Sequence, residues 1–379
     1  MRYQRLQAYR PAARSGHPPD FVLLSAIGVL ALFGLFALAS ASSMYSFQRY
    51  GTPYRMVIHQ ITNGMIPGVI LFAFFSTFNY QRWQRYRWWL LLGTIGMLAA
   101  VFLPGVGLIR NGARSWLQLG PVSFQPSEIA KLTALIYFSA SFSLAGFQQI
   151  RDLQGGLLPF GFAAAGIGGL VALQPDLGTL LVIGVIFAVM YFVAGARIAH
   201  LAMLGGVAAI GAIAVLLSGG HQLERVTVFL NPGSDPQGTG YHMTQSYLAI
   251  GSGGWFGRGF GKSHQKFAYL PEVSADSIFS IIAEELGFVF MVGLVALLVF
   301  IILRALKVAH GAPDPFGRFL AVGIATWFGF QSFLNIAVMT GLAPLTGIPL
   351  PFISAGGTAL ASNLAAAGLL VNISKHAQK

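Results

Sequence analysis

The sequence predicts an all-α, polytopic membrane protein of about ten transmembrane helices, with one large loop before the eighth, and three observations predict it. Apolar residues make up 55% of the 379-residue chain and charged residues only 9%. A soluble domain carries about a quarter charged residues, so this chain could not cover itself with a solvated surface. Apolar runs long enough to cross a bilayer recur along the chain with polar breaks between them. The basic residues lie in short segments between those runs, so the formal net charge of +12 reads as a topology marker and not as a nucleic-acid footprint.

The first span, 21–41, follows a basic segment at 1–20. Ala39-Ser40-Ala41 has the small-residue pattern of a signal-peptidase site, but the apolar run from Phe21 is longer than a signal core, and it reads as an uncleaved span. Further spans fall at 57–77, 88–104, 127–146, 157–173, 179–195 and 198–217, and after the polar segment 218–275 at 277–303, 317–340 and 355–373. Ten spans put both ends on one side. With the N-terminus inside, the cytoplasmic segments hold 14 Lys and Arg and the outer ones 8, which is the bias of the positive-inside rule. Acids collect at the outer boundary instead: Glu128, Asp176, Glu224, Asp235, Glu272 and Asp276. The expectation is one membrane domain over 1–379, with 1–20 and the C-terminus cytoplasmic and any chemistry facing outward.

No cysteine is present, which excludes disulfides and thiolate metal sites. The histidines lack any HExxH-like spacing for zinc, and no GxxxxGK[ST] phosphate loop occurs. The 218–275 segment is rich in glycine and holds the densest set of charges. Its aromatics, among them Phe229, Tyr241, Trp255, Phe256 and Phe260, argue that it packs, and a packed loop of this length is usually functional. Gly251, Gly253, Gly254, Gly257, Gly259 and Gly261 read as flexible backbone that lets the loop follow a sugar chain.

Residues 225–288 read RVTVFLNPGSDPQGTGYHMTQSYLAIGSGGWFGRGFGKSHQKFAYLPEVSADSIFSIIAEELGF. With NGARSWLQLGPVSFQPSEIAKL at 111–132, QPDLGT at 174–179 and PLTGIPLPFISAGGT at 344–358, this resembles the SEDS family (shape, elongation, division and sporulation), whose members include RodA and FtsW. The matches run in the family's order over most of the chain. Lys262-Ser263-His264-Gln265-Lys266 is closer to FtsW than to RodA. The resemblance implies ten spans in a bacterial cytoplasmic membrane and glycosyl transfer from lipid II to a growing peptidoglycan strand. It also implies a partner transpeptidase, a class B penicillin-binding protein, within the division or elongation machinery.

Such a transfer joins a sugar hydroxyl to the anomeric carbon of a polyprenyl-pyrophosphate donor. It needs a carboxylate to take the hydroxyl proton and cations for the charge growing on the leaving group. Asp276, where the long loop enters span eight, aligns with the family's catalytic aspartate; its position equally suits helix capping. Many family members carry His-Thr before this Asp, whereas here the pair is Ser274-Ala275, so the family's adjacent histidine has no counterpart at these two positions. Helical spacing puts Ser280, Ala283 and Gly287 on the Asp276 face, with Glu284 within about 80° of it and Glu285 opposite. Glu284 is expected to line the cavity beneath Asp276 and Glu285 to pair with another helix.

Glu128 and Lys131 stand one turn apart and can pair on one face; the resemblance places both in the family's polar cavity. Lys131 then either holds pyrophosphate or positions Asp276 through Glu128; the plain alternative is an intrahelical ion pair. Arg110, Arg114, Arg225, Lys262 and Lys266 are taken together as a phosphate-binding group on the outer side. Asp176 either caps span six or contacts substrate, and Glu272 and Ser354 are further candidates for the cavity lining. No cofactor motif is evident, and a divalent cation at the pyrophosphate is compatible with the chemistry. Two rival functions remain at this level. One is a flippase moving lipid II, which intramembrane charge and proline breaks also suit. The other is a scaffold for a partner, which leaves Glu128, Lys131 and Asp276 without a purpose.

Overall fold

The computed structural model describes residues 17–110, 113–120, 122–217, 221–231, 234–235, 238–267 and 269–377. The expected N-terminal segment therefore lies outside the described residues up to 16, and the 218–275 loop does so in part. The chain runs α1 (Phe21–Ala41), α2 (Ser43–Tyr50), α3 (Arg55–Gln60), a π-turn (Ile61–Met65) and α4 (Ile66–Thr77), then α5 (Arg87–Ala100). Next come strands β1 (Gly107–Arg110), β2 (Ala113–Leu119) and β3 (Val122–Phe124), followed by α6 (Pro126–Leu144), α7 (Phe147–Ile150), α8 (Leu158–Leu173), α9 (Leu177–Val193) and α10 (Ile198–Leu217). The remainder is α11 (His221–Leu230), α12 (Thr239–Ser252), α13 (Ile278–Gly311), α14 (Pro315–Met339) and α15 (Gly357–Ser374).

Every expected span is helical. By length and composition six helical segments are long and apolar enough to cross a membrane: 21–41, 55–77, 153–173, 278–311, 315–339 and 357–374. Their starts follow from local chemistry. Asp20, Asp176 and Asp314 each accept a hydrogen bond from a backbone N–H of the first turn, at 2.9–3.1 Å. Prolines occupy the first turn of α4, α6, α8 and α14, where the missing N–H leaves no bond unmade. The centre of the bundle is α14 and α15. The contact of α15 with α4 is built on small residues: a Cβ at Gly68 would meet Leu364 at 2.5 Å, and one at Gly368 would meet the Phe72 carbonyl at 2.6 Å. Glycine at such crossings lets two backbones approach.

Two features depart from the all-helical expectation. The segment between α5 and α6 is an antiparallel meander, β1–β2–β3. The large loop contains two helices, α11 and α12, and two of its glycines, Gly253 and Gly257, have a different purpose from the flexibility expected of them. α13 breaks at Gly287, which has φ 76° and ψ 179°. Residues 253–259 dock into that break. Arg258 and Gly259 N–H donate to the Glu284 and Glu285 carbonyls at 3.0 Å, and Phe288 and Val289 N–H donate to the Gly254 and Trp255 carbonyls at 2.9 and 3.1 Å. The loop thus satisfies the polar groups that the break releases, as apolar surroundings require. A Cβ on Gly253 would sit 2.1 Å from the Ala283 carbonyl, and one on Gly257 2.2 Å from that of Glu285. These glycines are there for close approach. Gly287→Ala would place its Cβ 2.2 Å from the Gly257 nitrogen at positive φ. It is expected to cost about 2–4 kcal/mol through strain and overpacking, read as a lower unfolding temperature in detergent; an unchanged temperature would show that the break tolerates a side chain.

Candidate active site

At one end of the bundle lies a cavity of about 950 Å³, walled by α2, α3, β2, α11, α12, the turn before α13 and the segments either side of α15's start. Arg49, Arg55 and Arg225 supply its positive charge, and Asp176, Glu272 and Asp276 its carboxylates.

Asp276 stands just before the start of α13, in a turn fixed from three directions. Asn335 donates through Nδ2 to the carbonyls of both Asp276 and Ile348, at 2.8 Å each. The Ala355 N–H donates to the Ser274 carbonyl at 2.7 Å. Ser277 Oγ donates to the Pro271 carbonyl at 2.9 Å and is hydrogen-bonded to His242 Nε2. Since the Ser277 proton is committed to Pro271, His242 Nε2–H is the donor of that second bond, as it is in a neutral ring with its proton on Nε2. Burial agrees, pushing the His242 pKa down to about 4 against the pull of Glu272. At the cavity wall Glu272 has φ 48°, a conformation that costs energy and clusters at functional sites.

The Asp276 side chain is 6% exposed. Burial lifts its pKa to about 6, against the opposing pull of local backbone N–H groups and the Arg225 guanidinium. Its Oδ1 has no hydrogen-bond partner among the described residues. The capping alternative is not what forms. Ser277 is the cap residue of α13, with no side-chain cap bond.

The other expected site residues divide. Arg225, Glu272 and Asp176 line the cavity with Asp276. Asp176 caps α9 through the Thr179 N–H at 3.1 Å, accepts from Gln125 and Ser127, and lines the cavity. Lys131 and Glu128 do not reach the lining. They form a buried pair at 2.7 Å under the floor, with Lys131 also donating to Gln331 Oε1 at 2.9 Å and lying 5.1 Å from the Trp327 ring centre. Gln331 in turn donates to the Pro349 carbonyl of the lining at 2.8 Å. The link to the cavity therefore runs through Gln331, and not from Glu128 to Asp276.

Glu284 does not line the cavity. It accepts from Ser263 Oγ and from the His264 and Gln265 N–H groups, so its charge is spent on holding the loop. Glu285 pairs with another helix as expected, accepting from Ser40 of α1 at 2.6–2.7 Å and from Lys266 at 3.1 Å. That bond removes Lys266 from the main cavity, though it borders a smaller adjoining pocket of about 300 Å³. Arg114 turns back to the Leu103 carbonyl at 3.0 Å, and Lys262 is exposed beyond the lining. Ser280 is buried away from the cavity, and Ser354 accepts from the Leu350 N–H at 2.8 Å within its own turn. The side chain of Arg110 lies outside the described residues. Arg49, Arg55, His59 and His242 line the cavity and were missed: sequence position marked the arginines as topology charges only. Among the described residues no group of three or more His, Asp or Glu side chains is placed to hold a metal ion.

Residues 21–379 match the family model FtsW/RodA/SpoVE, described as a cell cycle protein. Stage V sporulation protein E of Bacillus subtilis (strain 168) is 40% identical over 362 residues, covering 95% of this chain and 98% of that protein. A probable peptidoglycan glycosyltransferase FtsW of Geobacter sp. (strain M18) is 35% identical over 356 residues, covering 94% and 96%. Among solved structures, the fold matches a chain of a peptidoglycan synthase complex that coordinates polymerization and crosslinking, with TM-score 0.77, 28% identity and coverage of 94% and 97%. It also matches the rod shape determining protein RodA of Thermus thermophilus, with TM-score 0.69, 27% identity and coverage of 95% and 98%.

Proposed function

Because the chain belongs to the FtsW/RodA/SpoVE (SEDS) family and is FtsW-like, we propose that it is a peptidoglycan glycosyltransferase that polymerises lipid II in this cavity, with Asp276 as general base. The observation that carries the reading is a buried carboxyl, with one oxygen unpartnered and a pKa near 6, facing three arginines across one cavity. An acceptor hydroxyl gives its proton to Asp276 as its oxygen bonds to the donor's anomeric carbon. The bond from that carbon to the pyrophosphate oxygen breaks, and the polyprenyl pyrophosphate leaves with the electron pair. Arg49, Arg55 and Arg225 meet the growing charge, and arginine suits it through its fixed fork of donors.

The lipid tail stays in the bilayer while the headgroup enters the cavity, and the positive-inside bias of the sequence supports an outer-face site in the cytoplasmic membrane with both termini inside. The partner is a class B penicillin-binding protein, a reading supported by the likeness to a chain of a complex that couples polymerization to crosslinking.

The test is polymerisation of labelled lipid II by purified protein with that partner, from about pH 5 to 8. A base must be ionised to act, so the rate should fall on the acid side with a midpoint near the Asp276 value of about 6. Arg225 favours the ionised form, so Arg225→Gln should move that midpoint to higher pH. A midpoint that stays put would separate Arg225 from the base. Absence of polymer under all conditions would favour the flippase.

A further inference from the structure

Two polar clamps mark the depth of this protein in its membrane. At one end Arg304 Nε of α13 pairs with Asp20, at the start of α1, at 2.7 Å. At the other end Ser40 of α1 donates to Glu285 of α13, which Lys266 joins at 3.1 Å. Along either helix the clamps are separated by about 28–30 Å at the α-helical rise, which is the thickness of a hydrocarbon core. Between Glu285 and Arg304 α13 carries no charged residue. Phe288 to Gly311 alone reaches about 36 Å, enough to cross. The break at Gly287, and the loop docked into it, therefore lie at the level of the lipid headgroups.

That loop is not dressed for water. Trp255, Phe256 and Phe260 are 68, 82 and 54% exposed, and they continue the lipid-facing surface of α13, where Phe288 and Val289 are 57 and 51% exposed. The Trp255 ring meets Phe288 edge-on at 5.4 Å. Lys262 follows the aromatics as an exposed cation, Arg258 between them pairs with Glu284 at 3.7 Å, and no acidic residue occurs between Asp235 and Glu272. Amphipathic rings with adjacent cations are what a membrane–water interface selects.

We propose that residues 254–262 are a membrane-interface anchor, with Trp255, Phe256 and Phe260 seated at the boundary of headgroups and acyl chains and Lys262 on the phosphates of anionic lipids. The anchor holds the loop that completes α13 at its break, and so ties the height of the cavity to the leaflet beneath it. This follows from the fold and the membrane reading, and it stands whichever reaction the cavity performs.

The chain has no cysteine, so Phe256→Cys and Phe260→Cys give single attachment points for a spin label in the full-length protein. The probes are nanodiscs of phosphatidylcholine with and without phosphatidylglycerol, with Ser234→Cys as the water-exposed control. Collision rates with oxygen and with a water-soluble nickel chelate give the depth of each label. The expected result is an oxygen-to-nickel ratio several-fold higher at 256 and 260 than at 234. Phosphatidylglycerol should raise it further, and Lys262→Gln should remove that increment. Labels at 256 and 260 as aqueous as the control would overturn the anchor, and so would shielding that appears only when a transpeptidase is added, since the surface would then be a protein interface. Equal depth in both lipids would overturn the phosphate contacts.

Discussion

Asp276→Asn is expected to lower lipid II polymerisation by about 10²–10⁴-fold and, at neutral pH, to raise the stability of the folded protein. The second half follows from the sign of the pKa shift. Burial holds the carboxyl near 6 in the folded state, against about 3.9 in an unfolded chain. The folded protein therefore binds this proton more tightly. Relative stability falls as pH rises from about 4 to about 6 and then stays low, by on the order of 2–3 kcal/mol. Asparagine does not ionise, so the variant should unfold at higher temperature than the parent at pH 7.5, and the difference should vanish near pH 4. A capping or packing role predicts the opposite: stability lost first and activity with it. A well-folded Asp276→Asn protein that polymerises at the parental rate would end the assignment of the base.

Lys131→Met should be the most destabilising of the conservative changes in the bundle. Lys131 is 1% exposed, and its ammonium is shared by Glu128 and Gln331. Removing it leaves the Glu128 carboxylate buried without its cation, with Oε2 already unpartnered. Breaking a buried pair in this way costs about 3–5 kcal/mol. Adding Glu128→Gln removes the orphaned charge, and the double variant should recover most of the loss. Thermal unfolding in detergent reads both steps. Activity should follow the floor of the cavity: turnover falls with Gln331 released from Lys131, while the affinity for lipid II changes little, because Lys131 does not line the cavity. A large rise in KM with full stability would instead return Lys131 to the substrate.

The spans were legible because a bilayer imposes length and apolarity on each segment, a constraint written locally in the chain. Asp276 was singled out by the family resemblance, since its place at the junction of loop and helix suits a cap equally well. The break in α13 was not legible. Gly287 sits within the run Leu286-Gly287-Phe288-Val289, which reads as uninterrupted helix, and only the docked loop, far off in the sequence, reveals why the helix opens. The β1–β2 hairpin did carry a local sign in Asn111-Gly112, a pair favoured in tight hairpin turns, but an expectation of helices passed over it. The direction of charged side chains was beyond the sequence. Arg114 and Lys262 look as suitable for phosphate as Arg49 and Arg55. What separates them is which neighbour each meets, and that is decided by tertiary packing.

The break at Gly287 also sets how the protein responds to its surroundings mechanically. A membrane thinner than the spanning segment is accommodated by tilting the helix. In α13 that tilt is delivered below Gly287, whereas the Asp276 turn stands above it and is held by Asn335, Ala355 and Ser277. The four backbone bonds between 253–259 and 284–289 act as a coupling between two shafts. The lower shaft, clamped to α1 through Asp20 and Arg304, meets the lipid, while the upper one keeps the carboxylate registered against the arginines.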